Sequence, residues 1–217
     1  MVGTALLAAA VFVLPSNTHC VNHQTLRVGV REGAWTDIVV KVDGKAVKKV
    51  AKASGRRTFK VRSLPLQPFT LTISARGEQG RATASERYVP CPAGKPTVTI
   101  PAGDPPKELV KRDLIAGRGP KARDGHNVSV QYVGVAWSDH REFDSSWDRH
   151  EAFEFPLGQG QVIEGFDDGI KGMRVGGRRE LTIPPKLGYG DDGAGGAGGA
   201  IKPGETLVFV VDLGAGD

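Results

Sequence analysis

Phe143-Asp144-Ser145-Ser146, then Phe153-Glu154-Phe155-Pro156-Leu157-Gly158, then Val162-Ile163-Glu164-Gly165-Phe166 is the stretch on which the reading of this chain turns. Within a few turns of chain it carries one acid that can serve as a polar handle (Asp144), four phenylalanines and two β-branched aliphatics, Val162 and Ile163. No Ser-His pair, metal-ligand cluster or phosphate loop accompanies it. Such residues line an apolar pocket with one polar handle; they are not the parts of a nucleophilic or acid/base site.

Outward from this stretch, the second half of the chain alternates with period two. Val128, Val130 and Tyr132 alternate with polar residues and reach Val133-Gly134. Phe153 and Phe155 flank Glu154, Leu181 and Ile183 flank Thr182, and Leu207, Phe209 and Val211 alternate near the end. Each is a strand with its large side chains on one face. Pro184-Pro185 stops the third. One helix is expected over Gly165–Met173, with Phe166, Ile170 and Met173 on one stripe and Glu164, Asp167 and Asp168 at its positive end. Phe155, Leu157 and Met173 read as core. His126, His140 and His150 stand in polar loops and read as solvated. One short helix against an antiparallel sheet makes this half an α+β domain.

The first half differs in charge and in pattern. Residues 1–106 hold 15 Lys+Arg against 6 Asp+Glu, a balance of +9, while residues 107–217 hold 14 against 18, a balance of −4. Opposite balances are easier to explain as two domains than as one. Without a nucleic-acid motif, the basic half reads as a lysine-rich solvated face. Leu26/Val28/Val30, Val40/Val42 before the turn Asp43-Gly44, Phe59/Val61, Phe69/Leu71/Ile73 and Val98/Ile100 alternate with polar partners. About six or seven strands over residues 20–100 indicate a small all-β, sandwich-like domain. Cys20, Trp35 and Cys91 are spaced loosely like an immunoglobulin set, but Trp35 sits in a loop-like context, Gly33 to Asp37, and Val89 stands where the corner tyrosine belongs. Pro101-Ala102-Gly103-Asp104-Pro105-Pro106 reads as a short, stiff linker.

Cys20 and Cys91 either form a bridge closing the small domain, stabilising it by about 3–4 kcal/mol in the chain-entropy model, or remain two buried thiols. No CxxC or Cys/His cluster points to a metal. Val2–Leu14, within an apolar segment covering residues 1–19, has the length of a signal-peptide core and is too short to span a bilayer. It lacks a basic start and a clean Ala-x-Ala site. It is either an export signal or signal remnant, or a buried first segment. Export is the expectation taken forward.

Taken together, Val130-x-Tyr132-x-Gly134, Phe143-Asp144-Ser145-Ser146, Phe153-x-Phe155-x-Leu157-Gly158, Val162-Ile163-x-Gly165-Phe166, Gly172-Met173-x-Val175-Gly176, Leu181-x-Ile183-Pro184-Pro185, Tyr189-Gly190 and Leu207-Val208-Phe209 resemble the FK506-binding (FKBP-type) peptidyl-prolyl isomerases. The resemblance covers residues 107–213, within an expected domain of 107–217, and says nothing of residues 1–100. It implies a strongly curved antiparallel sheet wrapped around one short helix. It implies a pocket walled by Tyr132, Phe143, Phe153, Val162, Ile163, Ile201 and Phe209, with Asp144 and the Tyr189 hydroxyl as polar groups and the Ile163 N–H as a donor to ligand. It implies rotation of X-Pro bonds, without cofactor or metal. The partners it implies are proline-containing polypeptides and FK506- or rapamycin-like macrolides. Nucleic acid and a membrane anchor are not expected, and the chain is expected to be monomeric.

Two departures stand out. The pocket floor, usually a tryptophan on the helix, is Phe166, which keeps an apolar floor but loses an N–H donor. The usual Ile-Pro-Pro is Ile201-Lys202-Pro203, after a Gly/Ala run over residues 191–200. Three readings follow: an exported prolyl isomerase assisting folding; a non-catalytic proline-peptide binding module or chaperone, with Phe166 as the mark of lost activity; or a surface-binding β-domain with an auxiliary isomerase.

Overall fold

The computed structural model describes residues 11–21, 25–31, 33–78, 80–195 and 201–216. By its contacts the chain divides into two compact units. The first takes Val21–Pro90 and the chain up to Asn17, and the second takes Thr18–Cys20 and Cys91–Asp217. No helix among the described residues is long and apolar enough to cross a membrane.

The first unit is all-β. Strands β1 (Phe12–Val13), β2 (Thr25–Val30) and β5 (Arg57–Arg62) form one sheet in the order β1-β2-β5. Strands β3 (Ala34–Val42), β4 (Lys45–Ser54), β6 (Phe69–Gly77) and β7 (Gly80–Tyr88) form another in the order β4-β3-β6-β7. All pairings are antiparallel. The alternating residues read from the sequence, Val28, Val40, Leu71 and Ile73 among them, meet in one core with Tyr88. Phe12 belongs to that core, and the Tyr88 hydroxyl donates to the Pro15 carbonyl at 3.0 Å. Residues 11–15 of the apolar segment are therefore built into the unit, while residues 1–10 lie outside the described residues.

Several local expectations are corrected. Trp35 is not in a loop: β3 begins at Ala34, and the ring packs on Gly33 and Gly77. Strands β4 and β7 escaped the reading because lysines, serines and arginines occupy their outward positions and few apolar residues mark the inward ones. Val98 and Ile100 alternate as half-buried positions but pair with no strand. Pro96 and Pro101 lack the N–H a ladder requires.

Cys20 and Cys91 are joined by a disulfide, with Cα atoms 4.9 Å apart. Both half-cystines belong to the second unit, where the Cys20 amide donates to the Gly214 carbonyl at 2.7 Å. The bridge therefore does not lie within the first unit as an immunoglobulin-type bridge does. It closes the chain segment from which that unit is made.

The second unit contains β8 (Val110–Ile115), β9 (Asn127–Ala136), β10 (Glu142–Ser145), β11 (Phe153–Pro156), β12 (Arg178–Ile183) and β13 (Leu207–Gly216) in one antiparallel sheet. The order is β10-β9-β13-β12-β8, with β11 also paired to β9. Its helices are the single turn α1 (Ser146–Arg149) and α2 (Glu164–Ile170), with a 3-10 turn at Pro185–Leu187. Helix α2 stops three residues before the expected Met173. Gly172 adopts a positive φ of 84°, and Met173 follows in the turn, its side chain still buried.

The sheet is buried on both faces. One carries Val130, Tyr132, Leu181, Phe209 and Val211 against α2. The other carries Val133, Val135, Val208 and Val210, all buried. Residues of the extended segment 91–100 lie beside it: Pro96, Thr97 and Val98 share a cleft of about 360 Å3 with Val133 and Val135. The Arg178 guanidinium, paired twice with Asp212, donates to the Gly94 carbonyl at 2.8 Å. The unit boundary thus falls at Pro90, upstream of the proline-rich 101–106.

Candidate active site

Strand β9 supplies the centre of the site. Its inward positions pass from Val130 through Tyr132 to Gly134. Gly134 has to be small, since a Cβ there would lie 2.7 Å from Phe143 and 2.7 Å from Phe209. The space it leaves is filled by those rings, which meet edge to face at 5.5 Å.

Phe166 is the hub. Helix α2 carries it onto the sheet because Gly165 and Gly169 face Ile183 and Leu181 with no side chain between. Its ring lies 5.1 Å from Phe209, 5.7 Å from Tyr132 and 6.1 Å from Phe155, centre to centre. Tyr132 also meets Phe153 and Phe209 edge to face. Phe153 remains 36% exposed, so the cluster is open on that side.

The loop entering α2 brings Val162 and Ile163 against the same core. Asp167, in the first turn of α2, accepts the Gly158 and Gly160 amides at 2.7 and 3.3 Å and so holds that loop. The Ile163 carbonyl accepts the Phe166 amide at 2.9 Å, and the Ile163 N–H has no backbone partner among the described residues. Ile201 is buried against the cluster and exchanges both backbone bonds with Ala194. Residues 196–200 of the expected Gly/Ala run lie outside the described residues.

Polar groups close one edge. The Tyr132 hydroxyl donates to Asp144 Oδ2. Arg149 donates to Asp144 Oδ1 and, at 2.8 Å, to the Tyr132 oxygen. Burial, then the bond to Asp144, pushes the Tyr132 phenol up to about 12, so it is a donor at neutral pH. Tyr189 is 39% exposed, and its phenol is raised first by burial and then by the charge of Asp144, in whose field it stands.

The structure therefore brings Tyr132, Phe143, Asp144, Phe153, Phe166 and Phe209 into direct contact. It packs Val162, Ile163 and Ile201 on the same core and leaves Tyr189 at the rim. Sequence reading missed Arg149, whose only signal was its place five residues after Asp144. It also missed Ser146, whose Oγ accepts the Tyr132 amide at 2.8 Å and fixes α1 to β9. His126 is half-buried, with its Nδ1 out of reach of solvent and without a partner among the described residues. His140 and His150 are exposed. No group of three His, Cys, Asp or Glu side chains among the described residues is placed to hold a metal.

An aromatic pocket between one short helix and an antiparallel sheet, edged by Tyr, Asp and Arg, defines a class as well as a geometry. A model of the FKBP-type peptidyl-prolyl cis-trans isomerase family matches residues 119–214. An FK506-binding protein of Streptomyces anulatus is 58% identical over 119 residues, which are 55% of this chain and 94% of that protein. A probable FK506-binding protein of Corynebacterium glutamicum is 49% identical over 119 residues, 55% of this chain and 96% of that protein. The crystal structure of AtFKBP13 is 39% identical, covers 50% of this chain and 93% of its own, and superposes with a TM-score of 0.45. The chain belongs to the FKBP-type peptidyl-prolyl cis-trans isomerases.

Proposed function

We propose that the second unit rotates X-Pro bonds of folding polypeptides at the site centred on Phe166. The ring contacts Phe166 makes with Tyr132, Phe155 and Phe209 carry this reading. Rotation must break amide resonance against a barrier of about 18–20 kcal/mol, and no bond is made or cut. A site accelerates it by favouring the twisted amide over both planar forms. The twisted amide has less charge separation, so an environment that excludes water disfavours the planar states more than the twisted one. Phe143, Phe153, Phe166 and Phe209 provide that environment around the prolyl ring, with Val162 and Ile163 at its wall. Asp144, held by Tyr132 and Arg149, and Tyr189 at the rim orient the peptide by hydrogen bonds. The free Ile163 N–H serves as donor to the substrate backbone. FK506- or rapamycin-like macrolides fill the same pocket.

A proline-peptide isomerisation assay tests this. Acceleration by the wild type that falls at least tenfold in Phe166→Ala and Asp144→Ala, both remaining folded, supports the assignment. Binding of a proline peptide without turnover turns the reading into that of a non-catalytic module.

The protein is proposed to work outside the cytoplasm. The Cys20–Cys91 disulfide supports this, since structural disulfides persist in oxidising compartments. Cleavage next to Cys20 would strip Phe12 and Pro15 from the first unit, so the mature chain is expected to retain residues 11–19. Mass spectrometry of protein from its native source reports the retained N-terminus and the cysteine state together. A mature chain beginning after residue 15 overturns the expected retention.

A role for the first unit rests on one observation. The outer face of its four-stranded sheet presents Lys41, Lys49, Lys52, Arg76, Arg81 and Arg87, all exposed, with Arg76 directly opposite Arg81 and offset by one carboxylate, Asp37, 3.9 Å from Arg76. Like charges opposed across a ladder destabilise it. We read this face as an anionic-surface attachment site. Cosedimentation with anionic vesicles, lost in Lys49→Glu/Arg76→Glu/Arg81→Glu, is the expected result, and sedimentation unaffected by the triple change rejects it.

A further inference from the structure

The proposed site leans on two elements that are weakly determined by themselves. Strand β10, which carries Phe143 and Asp144, is a four-residue edge strand with a register irregularity between Glu142 and Asp144. Helix α1, which carries Arg149, is a single turn without a side-chain N-cap hydrogen bond, and it ends at His150 in the left-handed region at φ 58°. An isolated turn of helix is unstable in water. Its orientation, and with it the reach of Arg149 to Asp144 and Tyr132, must come from tertiary ties.

Ser146 supplies one tie from inside, to the Tyr132 amide. A second comes from outside. The Lys95 ammonium donates to Glu142 Oε1 at 2.7 Å and to both carboxylate oxygens of Asp148 at 2.8 Å. Glu142 is the first residue of β10, and Asp148 immediately precedes Arg149. One cation thus clasps the strand bearing Asp144 to the turn bearing Arg149. Lys95 is itself presented from a fixed base: Gly94, beside it, is held by Arg178, and Cys91, four residues back, is in the disulfide. The segment holding Lys95 lies upstream of the residues 119–214 that match the family.

We propose that Lys95 is a positioning residue for the isomerase site. It touches no substrate; it sets the distance between β10 and α1 and so the geometry of the Asp144–Arg149–Tyr132 edge. The inference rests on the site as proposed above.

The test is a double-mutant cycle in the full-length protein, read in kcat/KM for a proline peptide and, separately, in melting temperature. Lys95→Ala is expected to lower kcat/KM roughly three- to tenfold, in the lower part of the range of coupling between contacting groups, as suits a partly exposed ion pair. Asp148→Asn is expected to do much the same, and the double variant to lose little more than either. Lys95→Arg is expected to restore most of the rate. Salt is the readout that a purely structural role does not move: at about 1 M, where the Debye length is near 3 Å, the Asp144–Arg149 pair is screened in both proteins, and the gap in kcat/KM between wild type and Lys95→Ala should close. A full-rate Lys95→Ala, additive losses, or equal salt response in both proteins overturns the proposal, as does a change confined to melting temperature. If Lys95→Ala does not fold, Lys95→Arg and the salt response of the wild type carry the test. Failure of the site assignment looks different: Phe166→Ala and Asp144→Ala then leave kcat/KM unchanged.

Discussion

A Cβ added at Gly134 must displace two rings at once, since Phe143 and Phe209 both stand 2.7 Å from it. Gly134→Ala is expected to cost about 1–3 kcal/mol, as overpacking does, and to lower kcat/KM by moving the pocket wall; urea denaturation and the proline-peptide assay measure the two losses. Tyr132 carries a pH dependence. Its phenol has a folded pKa of about 12 against an ordinary value near 10. The protonated form is favoured in the fold, so its contribution is complete below about pH 10 and is lost as pH rises through about 12. At roughly 1.4 kcal/mol per pH unit, discounted because the phenol stays partly open to water, this amounts to about 1–2 kcal/mol. Tyr132→Phe should therefore flatten that part of the stability profile, and an unchanged difference between wild type and variant from pH 9 to 12 disproves it. At the floor, Phe166→Trp restores the wider ring and the N–H donor. Macrolide affinity is expected to rise about fivefold, on the scale of an added aromatic contact, as titration calorimetry can record.

Helix α2 shows at the scale of an element how context reverses an intrinsic preference. Alanine is favoured over glycine in a helix by about 1 kcal/mol. Here the Cβ of Gly165→Ala would lie 2.3 Å from Ile183 Cγ2, and that of Gly169→Ala 2.5 Å from Leu181 Cδ1. The clash outweighs the propensity, so each substitution is expected to destabilise by about 1–3 kcal/mol. Chemical denaturation that finds either variant more stable than the wild type refutes the close approach. The same helix was legible because Phe166, Ile170 and the leading acids form a regular pattern. Strand β8 was not, since all six of its residues are exposed on the edge of the sheet. Neither was α1, because one turn is shorter than any hydrophobic period and is held by Ser146 and Lys95 instead of by its own sequence.

For the whole molecule, the disulfide separates half-cystines 71 residues apart. The chain-entropy relation gives about 4 kcal/mol for such a loop when everything inside it unfolds. Two units make unfolding more than a single two-state event. Reduction is expected to lower the stability of the first unit, which makes up the chain inside the loop, more than that of the second. Denaturation followed in Trp35 of the first unit and in Trp137 and Trp147 of the second checks this. A loss confined to the transition of the second unit contradicts it.

The order and spacing of Tyr132, Phe143, Asp144, Phe153, Phe166 and Phe209 were enough, in sequence alone, to identify the family and the apolar cluster, and alternation marked four of the six sheet strands. Period-two alternation and a helical stripe are local properties, and side-chain type follows directly from the chain. Tertiary structure decided the rest, because each remaining feature joins residues far apart in sequence. Arg149 became part of the site only when β9, β10 and α1 met. The cysteines moved from the small β-domain to the second unit only when Cys20 paired with β13. Residues 91–100 changed from a last strand and its approach to a segment beside the second face of the sheet because prolines denied them a ladder while Val98 lines one cleft with Val133 and Val135. Phe166 remained the centre throughout. The sequence identified the ring, and the bare faces of Gly165 and Gly169 set how closely it could approach the sheet.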